Sequence, residues 1–140
     1  MTEEDDDVLL STLRLAMGIS VHAADEVGDD VSTVQLRALT VLSGRPGCNL
    51  GTLAEGMGVA LSTASRLVER LVTAGLVERR TSPANRREVA LSLSEHGRRT
   101  LDRYDAIRLD GLHSRLAALP PADRAAVLRG MRLLVADPAR

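Results

Sequence analysis

The chain has 140 residues, 44% apolar and 26% charged, the balance of an ordinary soluble domain that can bury its own core. Its single cysteine, Cys48, excludes an internal disulfide framework and a cysteine cluster for zinc. His22, His96 and His113 lie too far apart in sequence for metal-ligand spacing, so no metal and no other cofactor is expected. No uncharged run is long enough to cross a bilayer, and the acidic start Glu3-Glu4-Asp5-Asp6-Asp7 is neither a secretory signal nor a transit peptide. A cytoplasmic protein with no membrane contact is the expectation.

The net charge of −1 conceals an asymmetry. Residues 1–30 carry nine acids against Arg14 alone, whereas residues 50–100 carry eight arginines against five glutamates. A basic middle segment in a neutral chain suits local contact with a polyanion. A solvated surface would explain the same charges. All basic residues are arginine, so every cationic contact uses a planar guanidinium fork.

In chain order, residues 1–7 read as a disordered acidic tail. Residues 8–27 read as a helix whose apolar face, built on Val8, Leu9, Leu13, Ala16 and Met17, is wider than one small domain needs. Gly28-Asp29-Asp30 ends it. Ser32 or Thr33 caps a second helix that runs through Leu42, with Gly44 past its end. Arg45-Pro46-Gly47 is a turn, and Cys48 follows in a loop, where a small buried filler is a better reading than a redox switch. Asn49 caps a short helix from Leu50 to Met57, Gly58 ends it, and a further helix runs from Leu61 to Ala74. Two short helices joined by a tight glycine turn are a helix-turn-helix pattern.

Past Gly75, Leu76 to Arg80 and Glu88 to Leu93 read as the strands of one hairpin, with Ser82-Pro83-Ala84-Asn85 as turn chemistry. Ser94 caps a long helix to about Leu119, Pro120-Pro121 breaks it, and a last apolar-faced helix starts at Asp123. The fold class is mainly α (α+β).

A helix that reads the major groove needs small polar residues in its first turn, an arginine on the same face and an apolar face to hold it. Leu61, Ser62, Thr63, Ser65 and Arg66 supply the start, and Leu67, Val68, Leu71 and Val72 supply the apolar face. Ser62 and Arg66 are four apart and share a face, which Arg70 extends by one turn. An ordinary surface helix is the competing reading. Tyr104 is the lone aromatic, which disfavours the stacking platforms used for single strands and favours duplex readout. No phosphate-binding loop, nucleophile elbow or paired-carboxylate motif suggests an enzyme.

The segments Leu53-Ala54, Ser62 to Leu71, Gly75 to Arg79, Pro83 to Arg87 and Leu91 to Gly97 together resemble the MarR family of bacterial transcription regulators. The resemblance implies one domain over 1–140, with a winged helix-turn-helix lobe at 33–93 and dimerisation helices at 8–30 and 95–136. It implies a homodimer on double-stranded DNA, acting as a ligand-responsive repressor at a near-palindromic operator. The implied DNA-binding residues are Asn49, Thr52, Leu61, Ser62, Thr63, Ser65, Arg66, Arg70, Arg86 and Arg87, with Arg86 in the minor groove. For a small anionic or phenolic effector, the polar or soft candidates are Arg14, Met17, His22 and Arg37. Two features depart from the family pattern: Ala60 stands where Ser or Thr usually caps the second helix, and Ser82 and Asn85 stand where the wing usually has aspartates. The alternative is a winged-helix protein-interaction or ligand-binding module with little DNA affinity.

Overall fold

The computed structural model describes residues 1–28, 30–81 and 88–136. The elements are α1 (Glu3–Val27), α2 (Thr33–Gly44), α3 (Leu50–Met57), α4 (Leu61–Thr73), β1 (Val77–Thr81), β2 (Val89–Leu93), α5 (Glu95–Ala117) and α6 (Pro121–Val135).

Side-chain caps fix several helix starts. Ser32 Oγ accepts from Gln35 N at 3.1 Å, and Gln35 Oε1 accepts in return from Ser32 N at 2.8 Å. Ser94 Oγ accepts from Gly97 N at 2.9 Å. The same box corrects the reading of residues 1–7 as a tail. Thr2 caps α1, Asp5 closes the box, and the helix starts at Glu3. Charge repulsion among the acids is offset because Glu3, Glu4, Asp5 and Asp6 all lie in the first turn, where the helix dipole favours negative charge. The last helix likewise starts earlier than Asp123, at Pro121, because the fixed φ of proline suits a first helical position.

The core is aliphatic and shared by the helices of both regions. Leu36, Leu39 and Leu42 of α2, Leu53 of α3, Leu71 of α4, Leu76 and Leu91 are almost wholly buried. Leu101 and Tyr104 bring α5 onto them, and Ala23 brings α1. Helices α1 and α5 pair in opposite chain directions: Arg103 Nη2 donates to the Glu26 carbonyl at 3.1 Å, while Gly111 lies against Ile19. Helix α6 buries no residue. It is tied back by Arg124, whose Nε and Nη2 donate to the carbonyls of Leu116 (3.0 Å) and Leu119 (3.2 Å) where α5 ends, the Leu116 carbonyl also accepting from Leu119 N at 3.1 Å.

The strands β1 and β2 pair antiparallel, from Val77 opposite Leu93 to Thr81 opposite Val89. A third edge joins them in what reads from sequence as loop. Gly47 N donates to the Leu91 carbonyl at 2.9 Å and Leu91 N to the Cys48 carbonyl at 2.8 Å. One bridge is too short to leave a period-two signal.

A Cβ on Gly97 would sit 2.0 Å from the Leu76 carbonyl oxygen, so Gly97→Ala forces backbone apart and should cost about 3 kcal/mol, read as a fall in thermal midpoint. Hydrogen bonds from the Thr2 backbone and hydroxyl hold the Asp5 carboxyl below its ordinary value of 3.8. A depressed folded-state pKa adds stability above the unfolded value and loses it as pH falls through the lowered one. Amide exchange at Asp5 and Asp6 should therefore speed up relative to mid-helix amides as the pH drops below about 4.

Candidate nucleic-acid interface

The turn between α3 and α4 is Gly58-Val59-Ala60. Gly58 adopts φ 67° and ψ 35°, a left-handed conformation that glycine takes without steric cost. Its N–H donates to Glu55 O at 3.1 Å and that of Val59 to Ala54 O at 3.1 Å, closing α3 and turning the chain sharply into α4.

Helix α4 is divided lengthwise. Ala64, Leu67, Val68 and Leu71 recur at three- and four-residue spacing and are buried. Ser62, Thr63, Arg66 and Arg70 are exposed on the other side, Ser65 is half-buried at the boundary, and Leu61 is 58% exposed. Ala60 is the N-cap and gives no side-chain cap, so its carbonyl, accepting from Ala64 N at 3.0 Å, starts the helix without that help. The missing cap costs about 1 kcal/mol, less than the burial of any one of Leu67, Val68 or Leu71 returns.

Asn49 and Thr52 lie at the start of α3. Asn49 Oδ1 accepts from Thr52 N at 2.9 Å, so the side-chain carbonyl of this exposed residue serves as the cap. A groove of about 430 Å³ connects this corner to α4 and the hairpin, with Asn49, Leu61, Ser65, Arg79 and Val89 along it. Arg79 was not among the sequence candidates. Its strand position opposite Leu91 turns it toward α4, a placement that depends on hairpin register and so escapes a reading of α4 alone. Arg80 is held by Glu78 at 3.1 Å on the exposed hairpin surface. The expected wing-tip contacts Arg86 and Arg87, with Ser82 and Asn85, lie outside the described residues.

The four effector candidates do not converge. Arg14 and His22 line one shallow groove of about 380 Å³ between α1 and α5, with Gly18, Ile107, Gly111 and Arg115. His22 Nε2 meets Glu26 Oε1 at 2.9 Å on the same helix. Met17 is 70% exposed on another face of α1, and Arg37 points to solvent because Leu36, Ala38, Leu39 and Leu42 take the buried side of α2. A second groove of about 380 Å³, along Ala16, Ile19, Ser20, Asp105, Arg108 and Leu112, holds a residue that periodicity does not single out. The Arg108 guanidinium stacks 4.1 Å from the Tyr104 ring centre and pairs with Asp105, while its Nε is buried with no hydrogen-bond partner among the described residues. Burial pushes the Cys48 thiol up, against a smaller opposing effect of Arg45, so the reactive thiolate is disfavoured at neutral pH.

Among the described residues, no helix is long and apolar enough to cross a membrane.

Residues 31–89, which span α2 to the second strand, match the MarR family. The HTH-type transcriptional regulator YfiV of Bacillus subtilis is 31% identical over 106 residues, covering 75% of this chain; the chain spans 66% of YfiV, about two thirds of its length. The crystal structure of Rv1404 from Mycobacterium tuberculosis is 30% identical and superposes with a TM-score of 0.86, covering 100% of this chain and 97% of that one. The transcriptional repressor CouR, solved on a 23-mer DNA duplex, is 26% identical with a TM-score of 0.67, covering 94% of this chain and 90% of that one. With this fold, this helix-turn-helix and these relatives, the chain belongs to the MarR family of transcriptional regulators.

Proposed function

We propose that the protein is a homodimeric, sequence-specific binder of duplex DNA that represses transcription and is released by a small effector. The observation that carries this reading is the two-sided α4. Its buried stripe anchors it, and its opposite side presents Ser62, Thr63, Arg66 and Arg70 to solvent on a rigid element. A helix presented this way fits the major groove, with first-turn side chains on base edges and arginines on guanine edges or phosphates. Asn49, Leu61, Ser65 and Arg79 line the groove beside it, and Thr52 lies one turn into α3 from Asn49. That CouR was solved on a DNA duplex supports the same use of the fold here.

The dimer reading rests on apolar surface that one copy leaves uncovered. Leu9, Leu10, Leu13, Met17 and Val21 recur along one face of α1, Leu13 being 66% exposed, and Leu133, Leu134 and Val135 end α6 in the open. Contiguous exposed apolar surface of this kind marks an interaction site. A two-fold pairing through α1, α5 and α6 presents two α4 helices to one face of DNA and calls for a near-palindromic operator. The effector reading is supported by the α1–α5 grooves. Arg14 and Arg115 beside one of them, and the buried Arg108 Nε beside the other, offer guanidinium donors to an anionic or phenolic group at the edge of an aliphatic surface.

Mobility-shift titration against duplexes from the protein's own promoter region tests DNA binding. Arg66→Ala should cost about 1–3 kcal/mol of affinity, with the fold and the dimer intact. No sequence preference in the wild type, or no change in Arg66→Ala, would contradict the reading. Replacing the exposed apolar stripe, as in Leu13→Asp with Met17→Asp, should give a monomer in sedimentation. The same variant should bind the full operator about a hundredfold more weakly, because two linked contacts become one.

A further inference from the structure

We infer that Leu61 selects a thymine in each half-site through its 5-methyl group. The inference rests on the proposed DNA-binding use of α4. Leu61 is the first residue of that helix and is 58% exposed, in a lobe whose other large aliphatic side chains mostly lie in the core. Its neighbours on the outward side, Ser62, Thr63 and Arg66, are all polar and exposed. The apolar stripes of α1 and α6 cannot explain it, since they belong to a different part of the fold.

The chemistry of the major groove narrows what such a side chain can meet. Every base edge there offers a hydrogen-bond donor or acceptor, and the thymine methyl is the main apolar feature. Leucine placed over a guanine or cytosine edge would strip water from polar groups that it cannot pair, at a cost in affinity. Placed against a methyl, it loses nothing polar and removes apolar surface from water. The position is also fixed. The chain enters α4 from the left-handed turn at Gly58, and the Ala64 N–H to Ala60 carbonyl bond at 3.0 Å sets the first turn, so Leu61 is held at a constant offset from Ser62 and Arg66. Ala60, immediately before it, contributes no hydroxyl and no side-chain cap. The same logic predicts that 5-methylcytosine, which carries a methyl at the equivalent ring position, binds better than unmethylated cytosine at this contact.

The test uses the full-length dimer and duplexes selected by it from a random pool. Each thymine in a selected half-site is replaced in turn by deoxyuridine, which pairs identically and lacks only the methyl. A replacement in one half-site should weaken wild-type binding about three- to fourfold, the effect of one buried methyl-sized group, and the matching replacement in both half-sites about tenfold. Leu61→Ala should bind the thymine operator more weakly and lose the uracil effect, and Leu61→Met should keep it. Wild-type binding that ignores every uracil replacement overturns the inference, as does a Leu61→Ala variant that retains the full uracil effect. In both of those outcomes a loss of affinity in Arg66→Ala leaves the DNA-binding reading standing. A wild type that selects no sequence overturns the DNA-binding reading and this inference together.

Discussion

The junction of Gly75, Leu76, Ser94 and Gly97 holds the two halves of the molecule in one arrangement. Ser94 Oγ donates to the Gly75 carbonyl at 2.5 Å, and Ser94 N donates to the Leu76 carbonyl at 3.0 Å. Gly97 then packs so closely on Leu76 that no larger residue fits. Gly75 and Leu76 are also where α4 ends: Leu76 N donates to Leu71 O at 2.9 Å and Gly75 N to Val72 O at 3.0 Å. The last turn of α4, the root of the hairpin and the first turn of α5 are therefore one hydrogen-bonded unit. Burial of Leu71, Leu76, Leu91 and Leu101 around it resists independent motion.

That unit gives the proposed regulation a physical route. Helix α5 begins at the junction with α4 and runs away from it along α1, so the proposed effector region and α4 share one helix. The grooves between α1 and α5 lie beside that helix, and the unpaired Arg108 Nε is on it. A ligand that changes the α1–α5 packing is thus mechanically connected to the helix proposed to read DNA. It shifts the equilibrium only by its differential affinity for the two arrangements.

What the sequence made legible follows from how each signal is carried. Helix α3 matches its reading at both ends and α4 is one residue shorter than read, because Asn49, Gly58 and Gly75 punctuate them with local chemistry. Ser32 and Ser94 act as caps for the same reason. Features that depend on partners distant in the chain were not legible. The Cys48–Leu91 bridge is a single residue pair, Arg79 reaches the α4 groove only through strand register, and the Arg108–Tyr104 stack needs the packing around α5. The acidic start reads as a tail from its charge alone, whereas the reciprocal pairing of Thr2 with Asp5 makes it the first turn of α1. Met17 and Arg37 fell outside the grooves because proximity in element order does not fix the face that a side chain occupies.

In the proposed complex two copies of α4 enter the major groove on one face of DNA. Methylation-interference mapping of the full-length protein on its selected operator addresses it directly, since N7 of guanine lies in the major groove. The prediction is two patches of interference with centres about 10–10.5 base pairs, or one helical turn, apart. A single patch, or protection confined to the minor groove and phosphates, would contradict it.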